Sequence, residues 1–316
     1  MIKENTAFVF PGQGSQIVGM GKDLYNNFNS AKEVFQIIDD ILNFKLSDII
    51  FNGPNEELVK TKNTQPALMA VSIAIVKIIE NDFDTKLVDL CSIVAGHSLG
   101  EYSALAAAKA ISIEDAAKLL QVRGSSMARC GEKTNGAMAA ILNADQNIVE
   151  EIVKEASMGS EICQIANDNS VGQIIISGSV AGIDNAIIIA KDKGVRKAIK
   201  LPVSGAFHSK LMSDAKNDMK EILPDIIIKK PEIKFINNVD ANFSSDPDHI
   251  KNSLVRQITG RVRWRETMLL MQENGIKDVI EIGSGKVLSG LVSRTCKDIS
   301  SRSIQNISNI EDLLSQ

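Results

Sequence analysis

Three features of the sequence predict an α/β fold in which a larger body carries a smaller inserted unit. Short apolar strand candidates alternate with helices along much of the chain. A Gly-x-Ser-x-Gly turn, Gly96-His97-Ser98-Leu99-Gly100, stands between one such strand and one such helix. From Gly136 the order changes to strand, helix, strand, strand, helix, strand, which is the ferredoxin-like pattern. The expected fold class is α/β: an α/β-hydrolase-like large subdomain with an inserted ferredoxin-like (βαββαβ) small subdomain.

Taken in order, Thr6–Phe10 reads as the first strand, ended by Pro11-Gly12. The turn Gly12-Gln13-Gly14-Ser15-Gln16 lacks the third glycine of a dinucleotide fingerprint, because Ile17 stands there, and that reading is rejected. A helix is expected over 64–79, with Thr64 as its cap and Pro66 in its first turn. It is apolar nearly all round, so it should be buried. Residues 91–95 form a β-branched apolar run suited to a buried strand, and 101–110 are alanine-rich and helix-forming. The next helix, over 112–129, opens on the capping-box sequence Ser112-Ile113-Glu114-Asp115.

Strands are then expected over 137–142, 162–166, 173–177 and 195–201, with helices over 145–156 and 180–193. Asn167-Asp168-Asn169-Ser170 reads as the turn between the second and third of these strands. The small subdomain is thereby placed at 132–203, between two parts of the large one at 1–131 and 204–316. After it come helices over 210–222, 250–257 and 266–274 and strands over 234–237 and 278–282. Gly283-Ser284-Gly285-Lys286 hints at a phosphate-binding loop. It lacks the leading glycine, and Val287 replaces the Ser or Thr after the lysine, so that reading is also rejected.

The chain is long enough for this arrangement at 316 residues, and 44% hydrophobic content with a mean hydropathy of +0.01 allows a sizeable core. A net charge of −4 and an aromatic fraction of only 4% argue against general nucleic-acid binding. Cys91, Cys130, Cys163 and Cys296 are scattered, which is neither a disulfide framework nor a metal site. No secretory signal is visible. The most apolar segment, 68–79, contains Lys77 and falls short of the roughly 20 residues a membrane helix needs. A cytoplasmic location with no membrane association is expected.

The flanking glycines of the Ser98 turn lack Cβ atoms, so the serine can sit at a sharp strand-to-helix corner. There its hydroxyl lies near the positive end of a helix. A serine hydroxyl is a poor nucleophile at neutral pH and needs a base, most often histidine. The chain has three histidines. His97 is adjacent to Ser98, and neighbouring side chains diverge on such a turn. His249 sits in a polar stretch and reads as solvated. His208 lies at the seam where the small subdomain rejoins the body, and seams form clefts. By elimination His208 is the candidate base. No acid in the order Ser…Asp/Glu…His stands out, so a Ser–His dyad fits better than a triad.

Several further motifs share the chain with these residues: Phe10-Pro11-Gly12-Gln13-Gly14-Ser15-Gln16, Gly96-His97-Ser98-Leu99-Gly100-Glu101, Arg123-Gly124, Gly205-Ala206-Phe207-His208-Ser209, Leu254-Val255-Arg256-Gln257, and Glu281-Ile282-Gly283 with Gly285-Lys286-Val287-Leu288. In this order, and over its whole length, the chain resembles the malonyl-CoA:acyl carrier protein transacylases of type II fatty-acid synthesis. The resemblance implies an enzyme with Ser98 as acylated nucleophile and His208 as acid/base. It implies an oxyanion hole from the backbone N–H groups of Gln13 and Leu99, and Arg123 as holder of the free malonyl carboxylate. Gln257 would orient His208 through its backbone carbonyl, in place of the missing acid. Phe207 either fills core or narrows the acyl pocket.

No metal and no permanently bound cofactor is implied. Malonyl-CoA is the substrate, phosphopantetheine arrives on the acyl carrier protein partner, and a monomer is expected. Two departures are visible: Ser284 where many relatives have proline, and Asn237 before Asn238 where a smaller residue is common. The run 191–200 carries five basic residues against one acid, either a solvated face or a contact for CoA phosphates or the carrier. A serine esterase or thioesterase with the same elbow is the alternative function, and a non-catalytic carrier-binding module a third.

Overall fold

Two sheets organise the chain, and the computed structural model describes residues 4–203 and 205–315. The strands, in chain order, are β1 (Thr6–Phe10), β2 (Ile93–Gly96), β3 (Gly136–Leu142), β4 (Cys163–Ser170), β5 (Gln173–Ser179), β6 (Lys197–Lys200), β7 (Lys234–Ile236), β8 (Phe243–Ser244), β9 (Asp278–Ile282) and β10 (Ser300–Ile304). The larger sheet runs β10-β9-β1-β2-β7-β8 and is parallel except at the β7/β8 end. The smaller sheet, β4-β5-β3-β6, is antiparallel.

Alternation of side chains along β1 explains how the larger sheet is covered on both faces. Phe8 and Phe10 join the core cluster that contains the helix Thr61–Lys77, whereas Ala7 and Val9 pack with Trp264, Met268 and Leu288 on the opposite face. The same rule sets up the cavity. Ala137, Ala139 and Ile141 of β3 face the helices Gln146–Ala156 and Val180–Asp192, and Met138 and Ala140 turn back toward the main core.

The seam between the sheets is tied by β4. Asp168, fully buried, accepts from Arg261 at 2.7 Å and from Arg265 at 3.0 Å, and Asn167 forms a parallel bridge with Val262. The expected turn at 167–170 is therefore corrected: these polar residues belong to β4, irregularly paired, and Gly172 with φ 72° makes the turn. Two arginines distant in sequence supply the charge that allows an aspartate inside a strand.

The helix expected over 64–79 is Thr61–Lys77, continuing as a π turn Ile78–Asp82. Thr64 is not its cap, because the Thr64 N–H already bonds the Lys60 carbonyl and its hydroxyl donates to Leu58 O at 2.6 Å. Pro66 consequently lies inside the helix. Ser112 caps Ile113–Lys133 as its sequence predicts, accepting from the Asp115 N–H at 3.0 Å. The structure also has helices at Lys22–Asn27, Asn29–Leu42, Leu46–Asn52, Val287–Thr295 and Ile307–Leu314, and the strands β8 and β10, beyond those the sequence predicted.

Candidate active site

Ser98 occupies the corner between β2 and the helix Gly100–Ala107 with φ 54°, a left-handed conformation costly for a non-glycine residue. Both flanking glycines are required by contact. A Cβ on Gly96 would lie 1.9 Å from the Gly100 carbonyl oxygen, and one on Gly100 would lie 2.2 Å from that of Phe10. Asn238, following β7, braces the corner: its Oδ1 accepts the Ser98 N–H at 2.7 Å, and its Nδ2 donates to Gly96 O at 2.7 Å.

The Ser98 hydroxyl lies 2.8 Å from His208 Nε2, and His208 Nδ1 lies 2.8 Å from the backbone carbonyl of Gln257. A carbonyl can only accept, so Nδ1 carries the proton and Nε2 is left to accept from the serine. Burial, with the charge of Arg123 added, pushes the His208 pKa down to about 3, so the imidazole is neutral at pH 7. Gln164 fixes its unusual backbone, φ 57°, by donating to His208 O at 3.1 Å and accepting from the Lys210 N–H at 3.0 Å.

Arg123, 1% exposed, projects from Ile113–Lys133 toward the same hydroxyl. One terminal nitrogen donates to Ser98 Oγ at 3.0 Å and to Gln257 Oε1 at 2.8 Å; the other donates to Gln65 Oε1 at 2.7 Å. Its guanidinium stands 5.8 Å from the centre of the Tyr102 ring. Burial lowers its pKa, yet a guanidinium remains charged at neutral pH. Among the described residues no carboxylate forms an ion pair with it. Among the described residues the hydrogen-bond acceptors of this buried cation are all neutral side chains.

A cavity of about 400 Å³ opens in front of these groups, between the two sheets. Gln13, Ser98, Leu99, Arg123 and His208 line one side; Met138, Ala140 and Ile175 line the other, with Phe207 beside the histidine. Among the described residues nothing accepts from the backbone N–H of Gln13 or Leu99. The Gln13 loop is held by Ser284, whose hydroxyl donates to Ser15 O at 2.7 Å.

The acyl transferase domain family matches residues 7–311. The malonyl CoA-acyl carrier protein transacylase of Bacillus subtilis (strain 168) is 41% identical over 96% of this chain and 95% of its own length. The chain belongs to the malonyl CoA-acyl carrier protein transacylase family. Among solved structures, an acyl-carrier-protein S-malonyltransferase from Bartonella henselae superposes with a TM-score of 0.92 at 46% identity, covering 98% of each chain. A malonyl-transacylase solved in complex with a type II PKS acyl-carrier protein has a TM-score of 0.93 at 35% identity, covering 99% of each chain.

In this transacylase-family member the structure brings together Gln13, Ser98, Leu99, Arg123, Phe207 and His208 around one cavity, with Gln257 directly behind. Of the other two histidines, His97 also lines the cavity but its ring is engaged by other residues, and His249 lies outside it. His97 Nε2 lies 2.8 Å from Asn169 Oδ1, its ring edge-on to Trp264, and burial lowers its pKa. His249 is at the surface, 3.0 Å from Asp240. Among the polar residues of the site with no role in the sequence reading are Gln65, Glu101 and Asn238 beside the nucleophile and Asn167, Asn169 and Gln173 in the cavity lining. The available signal was membership of the Gly96–Glu101 motif for Glu101; Gln65, at the polar start of its helix, and Asn238 carry no local signal.

Proposed function

We propose that the chain moves a malonyl group from CoA to the phosphopantetheine thiol of an acyl carrier protein through a malonyl ester on Ser98. One observation carries the reading: a buried guanidinium with no carboxylate partner among the described residues, 3.0 Å from the candidate nucleophile. Ser98 Oγ attacks the thioester carbonyl while His208 Nε2 takes its proton. The N–H groups of Gln13 and Leu99 receive the developing oxyanion, each such donor being worth on the order of 3 kcal/mol. Collapse of the tetrahedral intermediate breaks the carbon–sulfur bond, and His208 returns the proton to the CoA thiolate. The carrier thiol then attacks the ester by the same route in reverse.

Arg123 holds the free carboxylate of the acyl group, where a planar fork of donors matches two oxygens. Gln257 orients His208 through its carbonyl, and Phe207 limits the acyl pocket. The esterase or thioesterase alternative gives no reason for a cation beside the serine, and among the described residues the partner of His208 Nδ1 is the Gln257 carbonyl and not a third acid.

We read the parallel-rich sheet with its Ser98 elbow as an α/β-hydrolase-like subdomain formed by 1–131 and 204–316. The unit 132–203 is read as ferredoxin-like, supported by its βαββαβ order and the sheet order β4-β5-β3-β6. No helix among the described residues is long and apolar enough to cross a membrane, and a cytoplasmic site completes the reading. The test is intact-protein mass spectrometry after brief exposure to malonyl-CoA without carrier. A malonyl adduct on wild type and none on Ser98→Ala is expected; an unchanged adduct in the variant would overturn the assignment.

A further inference from the structure

Glu101 closes the Gly96–Glu101 motif, yet the reaction scheme above does not use it. It is fully buried one turn behind the nucleophile. Its Oε2 accepts from Gln257 Nε2 at 2.5 Å and from the Asn238 N–H at 3.2 Å, while Oε1 has no hydrogen-bond partner among the described residues. Both contacts lead to working groups. Gln257 holds His208 through its backbone carbonyl at 2.8 Å and accepts from Arg123 through its side-chain oxygen, also at 2.8 Å. Asn238 accepts the N–H of Ser98 at 2.7 Å.

The Gln257 carboxamide can occupy its site in two orientations related by a half-turn, with nearly the same shape. In one, an oxygen faces Arg123; in the other, an NH₂ group faces a guanidinium that can only donate. A side-chain oxygen of Glu101, accepting from Nε2, selects the first. The Ser98 carbonyl supports the same choice, accepting from Nε2 at 2.9 Å. We propose that Glu101 is a positioning residue: its oxygen fixes the orientation of the Gln257 carboxamide and so keeps Arg123 aimed at the acyl carboxylate. This rests on the reading of Arg123 given above.

The contact calls for an acceptor oxygen at that place, and it does not call for a formal charge. Glu101 makes no ion pair with Arg123 among the described residues, and burial pushes its carboxyl up to about 8. A counter-ion role and a positioning role therefore predict opposite behaviour for conservative variants.

The experiment measures kcat/KM for malonyl-CoA and acetyl-CoA with an acyl carrier protein, in wild type, Glu101→Gln, Glu101→Asp and Glu101→Ala, with folding followed by thermal denaturation. Glu101→Gln retains an oxygen at full reach and should keep the malonyl-to-acetyl ratio within roughly threefold of wild type. Glu101→Asp and Glu101→Ala cannot reach Gln257 and should lower that ratio about tenfold or more, the worth of one charge-assisted hydrogen bond. Should Glu101→Ala fail to fold, the Asp and Gln variants decide. Retention by Asp with loss by Gln would make charge the determinant and overturn the proposal. An equal fall for both substrates in all variants would reduce Glu101 to a role in folding. A selective wild type with equally selective variants would sink this proposal alone, whereas an unselective wild type would sink the reading of Arg123 with it.

Discussion

The cavity has a polar wall on the side of the larger sheet and a mostly apolar wall on the side of the smaller one. Behind Ser98, the side chains of Glu101, Arg123, Asn238 and Gln257 are each at most 1% exposed and bonded to one another or to the elbow. Opposite them stand Met138, Ala140 and Ile175, with half-buried Asn169 and Gln173 among the lining residues. Buried polar groups are tolerable only when partnered, and a network of them has few alternative arrangements. Apolar side chains repack with modest loss. On the proposed reading the polar wall carries the chemistry and the choice of acyl group, and the apolar wall sets the volume.

The first way to break this contrast is to remove the base. His208→Ala should slow formation of the acyl-enzyme by roughly 10²–10⁴-fold, the usual worth of general acid–base catalysis. His97→Ala and His249→Ala should do far less when folding is preserved, and quench-flow acylation rates would reveal a wrong choice of base. The pH profile sharpens the same point. A pKa held down at about 3 leaves the neutral, proton-accepting form of His208 populated far below the usual histidine range. The kcat/KM for malonyl-CoA, which reports the free enzyme, should therefore not decline between about pH 7 and about pH 5. An acid limb centred near an ordinary histidine value would contradict the burial argument.

The smallest effect belongs to the apolar wall. Ile175→Val removes one methyl group from a 7% exposed position and should cost about 0.5–1.5 kcal/mol of stability, read from chemical denaturation. Malonyl and acetyl transfer should change together, by less than roughly threefold. A changed ratio between the two substrates would mean that this wall also reads the carboxylate.

The elbow was legible in the sequence because its glycines answer a local steric demand between adjacent segments. Strands β1, β3, β5 and β9 were legible because each contains a compact run or cluster of at least three apolar residues. Strand β10, Ser-Ser-Arg-Ser-Ile, carries no such pattern; it is an edge strand defined by its pairing with β9. The stretch 167–170 has the composition of a turn but pairs with β5, and Arg261 and Arg265, about a hundred residues away, neutralise the buried Asp168 within it. Within the site, Ser98 and His208 follow from reactivity and position. Glu101 and Asn238 act through hydrogen bonds spanning 137 to 156 residues of sequence, which no local pattern records.

The central claim, that the polar wall reads the acyl carboxylate, is tested most directly by Arg123→Ala, assayed as kcat/KM for malonyl-CoA and acetyl-CoA with folding checked by circular dichroism. A charge-assisted contact is worth about 1.5–3 kcal/mol, and an unpaired carboxylate left in a dry pocket costs more, so malonyl transfer should fall by at least tenfold. Acetyl transfer never used that contact and should fall little or rise. An equal fall for both substrates would show that Arg123 serves the fold or CoA binding, and would contradict the account.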